Sequence, residues 1–218
     1  MTKVVRTRGE RSREHIYATA LSLFRTRGFD RTTMRDVADK AGVALGGAYY
    51  YFRSKNDIVH AYYEQLGEEH SQRVRAVLEH ETDLRRRLGA VFHTSVDMLK
   101  RDRKLIAGVF RDVGEVGAAS PFAPGTKVFR ERGIGIFEEA LAPASLGESQ
   151  RIVATLLWGA HMAMVLYMVH DDSKGHERTR KLVDGALDSL VPLLPALPLL
   201  GPTLGDLSRV LRDAGLVS

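Results

Sequence analysis

Cysteine is absent from the 218 residues. Disulfides, thiolate metal sites and cysteine nucleophiles are therefore excluded, which fits a reducing cytoplasm as the expected location. Catalytic motifs are missing too: there is no glycine-x-serine-x-glycine elbow, no phosphate loop and no helical H-E-x-x-H. No catalytic residue and no cofactor is expected. Strand-period alternation never extends beyond a few residues, and no internal repeat is present. No secretory signal opens the chain, because Met1 to Arg13 is polar and basic with no apolar core after it. Long uncharged runs are represented by Ile152 to Val169, just long enough to be tested as a membrane span. It carries Thr155, Gly159 and His161, and a helix apolar all round can equally be buried by protein, including a partner subunit. The expectation is a buried helix and no membrane.

What is present is unevenly distributed charge. The net charge of +5 divides into 12 Lys and Arg against 5 Asp and Glu over residues 1–55, or +7, and −2 for residues 56–218. Positive charge gathered at one end favours a polyanionic partner at that end.

That end is organised around Thr33 to Asp57. Thr33 and Asp36 have capping-box spacing, and Met34, Val37, Ala38 and Ala41 follow on one helical face. Gly42 can take the positive φ that ends the helix, and Val43 can plug the turn. A very short second helix is expected from about Leu45 to Tyr51. Ser54 and Asp57 then repeat the capping-box spacing and open the next helix. Two helices about a short glycine turn form a helix-turn-helix, whose second helix can enter the major groove of DNA. A preceding helix from Glu14 to Arg27, ended by Gly28, completes a three-helix head with a core of Ile16, Ala20, Phe24, Val37, Ala38, Val43 and Phe52. Before it, Thr2 to Arg13 reads as a mobile arm bearing Lys3, Arg6, Arg8, Arg11 and Arg13, suited to phosphates or a minor groove.

Gly28, Phe29, Thr33, Val37, Ala38, Ala41, Gly42, Val43, Gly46, Tyr49, Tyr51, Phe52, Ser54, Lys55 and Ile58 together resemble the DNA-binding motif of the tetracycline-repressor (TetR) family of bacterial regulators. The resemblance covers roughly the first quarter of the chain. It implies that Tyr49 and Lys55 hold phosphates, with Thr33 offering a hydroxyl to the backbone. Two positions depart from the family pattern: Ala44 replaces the usual serine or threonine cap, and Gly47 replaces a frequent threonine. For base readout, Leu45 suits a thymine methyl, Tyr50 base edges or backbone, and Arg35 a guanine. Ala44, Gly46, Gly47 and Ala48 leave the second helix almost bare, which predicts close docking and selectivity drawn partly from DNA shape.

Beyond the head, helices are expected from Ser54 to about His80, Leu84 to about Arg101, Leu105 to Val113, Thr126 to Leu141, Ser149 to Val169 and Glu177 to Val191. Gly114 to Gly125 reads as loop. Pro192, Pro195 and Pro198 suggest an extended segment, and Asp206 to Ala214 a short tail helix. The fold expected is all-α: a head over residues 1–55 and a helical-bundle body over residues 56–218 for ligand binding and dimerisation.

The family resemblance implies a small effector among the body helices. Phe92, Val96, Leu99, Phe110, Phe129, Phe137, Trp158, Met162 and Tyr167 are the apolar candidates to line its site, with His161, Thr94 and Ser95 as orienting polar groups. An aromatic stripe at helical spacing is also what plain core looks like. The partners expected are a double-stranded DNA operator of inverted-repeat form, a small, largely apolar effector, and a second copy bound through the helices near 149–169 and 177–191. The second reading is a metal-responsive regulator using His170, Asp171, Asp172 and His176, although their spacing matches no strong ligand pattern. A hydrolytic enzyme would have to rest on His161 alone.

Overall fold

Thr7 opens the first helix: its hydroxyl accepts from the Glu10 amide while the Glu10 carboxylate accepts from the Thr7 amide. The computed structural model describes residues 7–111, 119–200 and, in the tail, 206, 207, 209, 210, 212 and 213. Among these the regular structure is entirely helical. In chain order the α-helices are α1 (Arg8–Arg27), α2 (Met34–Ala41), α3 (Leu45–Tyr51), α4 (Lys55–Leu78), α5 (Leu84–Leu99), α6 (Arg103–Arg111), α7 (Lys127–Ala140), α8 (Gln150–His170) and α9 (Glu177–Leu190).

Three expectations change. Arg8, Arg11 and Arg13 belong to α1 and not to an arm, because the Thr7 cap starts the helix ahead of them; Lys3 and Arg6 lie outside the described residues. The proline-rich segment is a 3-10 helix, Val191–Leu200, and not extended. Prolines at every third position suit its three residues per turn, and their fixed φ is compatible with it. The loop expected over 114–125 has residues 114–118 outside the described set and ends in a 3-10 turn, Pro124–Thr126.

The chain forms two compact units, Met1–Glu64 with Arg101–Thr126, and Gln65–Lys100 with Lys127–Ser218. In the first, Ile16, Ala20, Phe24, Val37, Ala38, Ala48 and Phe52 are buried, whereas Val43 is only half-buried. This unit is larger than the 1–55 head read from sequence, because α6 is part of it. A methyl group on Gly108 would lie 2.8 Å from the Phe29 Cβ, so α6 approaches the turn after α1 closely. Arg25 on α1 donates to Asp102 at 2.5 Å, and the Tyr62 hydroxyl on α4 donates to the same carboxylate at 2.8 Å. One buried aspartate, just ahead of α6, thus joins three helices.

In the second unit, α7 and α8 pack closely. A Cβ on Gly133 would meet the Trp158 indole at 2.9 Å, so only glycine fits beneath that ring. Helix α8 is long and apolar enough to cross a membrane by length and composition. Ile152, Val153, Ala154, Thr155, Trp158, Met164, Val165 and Met168 are nevertheless buried inside the protein, as a core helix requires. Arg87 on α5 is buried and donates to four backbone carbonyls: Leu78 at 2.7 Å, Glu81 at 2.6 Å, Glu139 at 2.7 Å and Ala140 at 3.0 Å. Those of Leu78, Glu139 and Ala140 terminate α4 and α7, where the last groups have no intrahelical partner.

Arg87→Met keeps the aliphatic stem and strands these carbonyls. Bonds to a charged donor and orphaned buried acceptors are each worth about 1–3 kcal/mol, so a loss of about 3 kcal/mol or more is expected in urea unfolding. An unchanged midpoint would refute this role.

Candidate functional site

In the first unit, Thr33 caps α2 as its spacing requires. Its hydroxyl accepts from the Asp36 amide at 3.1 Å, and the Asp36 carboxylate accepts from the Thr33 amide at 2.8 Å and hydroxyl at 2.6 Å. Those bonds hold the Asp36 carboxyl below its usual range. Gly42 adopts φ 66, ψ 32, and the amides of Gly42 and Val43 bond back to Asp39 and Ala38, which fixes the turn into α3. Helix α3 starts at Ala44 without a side-chain cap.

The expected DNA-binding residues of α2, α3 and their caps all keep accessible surface. Thr33, Arg35, Ala44 and Gly46 are exposed, Leu45 and Gly47 half-buried, and Tyr49 and Tyr50 are 46% and 82% exposed. Ala48 differs: it is fully buried, so Ala44, Gly46 and Gly47 are the bare positions, three and not four. Tyr51 sits edge-on to Tyr50 at 5.0 Å, while Phe52 is buried, stacks on Tyr17 at 6.3 Å and carries the Arg13 guanidinium 4.7 Å over its ring. Phe52 thus belongs to the head's core, as expected.

Lys55 is less available than the resemblance implied. Its amine donates to the Phe29 carbonyl at 2.8 Å and lies 4.3 Å over the Phe29 ring, and burial lowers its pKa against the opposing pull of Asp30 and Asp36. The contact ties the first turn of α4 to the turn after α1.

In the second unit, the expected ligand-lining residues separate into groups. Phe92, Phe137 and His161 form one ring cluster, with centroids 5.3 to 5.9 Å apart. Val96, Leu99 and Trp158 are buried in the same unit, and Phe129, Met162 and Thr94 are half-buried. Phe110 belongs to the first unit. Tyr167 is exposed, since nine residues after Trp158 is two and a half helical turns and therefore the opposite face of α8.

Sequence reasoning missed His70. From α4 its ring stacks on His161 at 6.2 Å, its Nε2 lies 2.9 Å from the Val91 carbonyl, and the Ser95 hydroxyl lies between the two imidazoles at 3.0 and 2.8 Å. Burial pushes the pKa of His161 down to about 3, helped by the neighbouring His70, and burial lowers His70 as well. Both rings are neutral near pH 7. The only local signal was histidine at 70, on the face that carries Leu66 and Val77, and a partner 91 residues away is invisible from there.

The loop considered for metal is otherwise employed. Burial would raise the Asp171 pKa, but bonds from the side chains and amides of Ser173 and Thr179 hold it well below the usual carboxylate range. Asp172 accepts from Arg178. Among the described residues no group of three or more His, Asp or Glu is arranged to hold a metal.

Residues 16–62 match the profile described as bacterial regulatory proteins, tetR family, and residues 87–201 match that of the tetracyclin repressor-like C-terminal domain. HTH-type transcriptional regulator TtgR of Pseudomonas putida is 32% identical over 113 residues, 52% of this chain and 48% of that protein. HTH-type transcriptional repressor KstR2 of Rhodococcus jostii is 27% identical over 136 residues, 61% of this chain and 67% of that protein. The chain thus spans about half the length of the first of these relatives and two thirds of the second. Among solved structures, transcriptional regulator FadR from Bacillus subtilis in complex with stearoyl-CoA superposes with a TM-score of 0.64 at 17% identity, over 81% of this chain and 97% of that one.

A depressed histidine has a consequence for stability. Between pH 6.5 and about 3 the unfolded chain takes up a proton at His161 that the folded chain does not. Stability contributed by this group is complete above pH 6.5 and falls with decreasing pH, by up to about 1.4 kcal/mol per pH unit. His161→Phe should flatten the pH dependence of the urea midpoint in that window; an unchanged slope would contradict the burial of a neutral ring.

Proposed function

The chain belongs to the tetR family of bacterial regulatory proteins, and we propose that it is a ligand-responsive transcriptional repressor that binds an inverted-repeat operator as a dimer in the cytoplasm. The observation that carries this reading is the division of α2 and α3 into a buried face and an outward one. Thr33, Arg35, Ala44, Leu45, Gly46, Gly47, Tyr49 and Tyr50 occupy the outward side and none of them closes the head's core. The bare backbone at Gly46 and Gly47 lets α3 approach the groove floor, Arg35 suits a guanine edge, and Tyr49 suits a phosphate. Lys55 would reach a phosphate only by leaving the Phe29 carbonyl, so its part is chiefly to brace α4.

Dimerisation is supported by apolar surface on the last two long helices. On α8, Leu156, Ala160, Ala163 and Tyr167 are exposed, with open space at Gly159; on α9, Leu182, Ala186 and Leu190 are exposed. A second copy would bury both faces in a four-helix contact. Two copies supply two heads, and their spacing supplies the selectivity that a sparse α3 lacks.

The aromatic interior of the second unit supports an apolar effector, and the structurally similar FadR is a precedent, since that protein carries stearoyl-CoA. Helix α4 contributes residues to both units, so a change in the body reaches the head along one continuous helix. An effector coupling of about 1–3 kcal/mol would lower operator affinity roughly 5- to 150-fold.

Selection from random duplexes with the full chain should enrich an inverted repeat. Arg35→Ala should cost about 1–3 kcal/mol and relax one base position per half-site, whereas Tyr49→Ala should weaken all sequences alike. Failure to enrich any sequence would overturn the regulator reading. Leu182→Glu combined with Leu190→Glu should yield a folded monomer in sedimentation velocity and lose operator affinity; a dimer that survives both changes would place the interface elsewhere.

A further inference from the structure

His161 stands on the buried face of α8, one turn from Trp158 and one turn from Val165, each only 4% exposed. Its ring is hemmed by His70 of α4, Phe92 of α5 and Phe137 of α7. It nevertheless keeps accessible surface, as does Met162 beside it. His161 thus keeps some accessible surface although three other helices surround its ring.

The protons in this cluster can be assigned. The Val91 carbonyl only accepts, so Nε2 of His70 carries a hydrogen and donates to it. Ser95 Oγ, 3.0 Å from the same nitrogen, then meets a donor there and must turn its own proton elsewhere. The acceptor within reach is Nε2 of His161 at 2.8 Å. An imidazole that accepts at Nε2 and is neutral carries its hydrogen on Nδ1. Among the described residues Nδ1 of His161 has no hydrogen-bond partner, and it is not sealed off as a buried unsatisfied atom. The cluster therefore presents one fixed N–H donor in aromatic surroundings.

We propose that His161, oriented by Ser95 and His70, is the polar anchor of an internal apolar site that takes a neutral molecule bearing one hydrogen-bond acceptor, a ketone or ester carbonyl being the best fit. The proposal rests on the reading of the second unit as an effector-binding body. Neutrality follows from the surroundings. His70, whose charge would act on His161, is itself held neutral by burial. A carboxylate beside two neutral rings would lose hydration that one donor does not replace, whereas a carbonyl needs only that donor. Ser95 and His70 are positioning residues: they fix which nitrogen of His161 carries the hydrogen.

The test uses the full-length protein and two matched series, methyl ketones from 2-nonanone to 2-tridecanone and the 2-methyl-1-alkenes in which a methylene replaces the carbonyl oxygen. Isothermal titration should show the preferred ketone binding at least tenfold tighter than its alkene. His161→Phe should abolish that preference while leaving alkene binding within threefold, and Ser95→Ala should reduce it several-fold. Nitrogen-15 spectra of the histidine rings should show His161 as the Nδ1–H tautomer, with that proton shifted by ketone and unmoved by alkene. If ketone and alkene bind equally, or His161→Phe retains the preference, the anchor is wrong and the effector-binding body stands. If neither series binds, the body reading falls and the proposal with it. Should His161→Phe fail to fold, Ser95→Ala and the ring spectra decide: an Nε2–H tautomer at His161 overturns the proposal.

Discussion

Every helix leaves four amides at its start and four carbonyls at its end without partners, and a chain built only from helices must satisfy them nine times over in its described residues. How it does so explains most of the architecture. Thr7 and Thr33 close two helix starts in the head by capping boxes, and the left-handed Gly42 closes the end of α2. In the body, Asp83 caps α5, Asp171 accepts from Thr179 in the first turns of α9, and Arg87 collects the carbonyls that end α4 and α7. Arg87 and Asp171 are buried, so helix termination there is also tertiary structure. Helix α3 departs from the pattern with its uncapped start at Ala44. Ala48 within it and Phe52 beyond it hold it instead by their burial in the core of the head.

Legibility in the sequence follows range. Caps and turns act over three or four residues, so Thr33 with Asp36, Gly28 and Gly42 were readable and so was the helix-turn-helix they bound. The same rule applied to Thr7 and Glu10 would have started α1 at its true place; the basic composition of the segment obscured it. Burial on one helix follows from periodicity, which gave most of the head's core. Periodicity alone would have set Tyr167 apart from Trp158, since two and a half turns separate them, but the candidates were grouped by their apolar character. Contacts between distant segments left no local trace. Arg25 with Asp102 and His70 with His161 are ordinary polar residues until the fold brings them together, and so neither the membership of α6 in the first unit nor the histidine pair could be read in advance.

The two units use polarity differently. The head keeps the polar side chains of α2 and α3 accessible, where phosphates and base edges could reach them, and buries Asp102 against Arg25 and Tyr62. The body places several polar groups inside, among them Arg87, Ser95, His161 and Asp171, bonded to backbone carbonyls or to polar neighbours. The proposed regulator would use both arrangements, the accessible face for DNA and the interior for a small molecule. Helix α4 gives residues to both units, and Asp102 joins α1, α4 and the start of α6 in the unit that carries the helix-turn-helix.

The central claim is that two heads act together at a fixed spacing. Because the chain has no cysteine, a single label at the exposed Asp39 on α2, introduced as Asp39→Cys, reports that spacing without background. Double electron–electron resonance on the labelled protein should give a dipolar distance in solution that narrows on a selected operator to a value set by half-sites about 34–36 Å apart or a multiple of it. Absence of any dipolar coupling between copies, or a distribution that operator DNA leaves unchanged, would contradict the account.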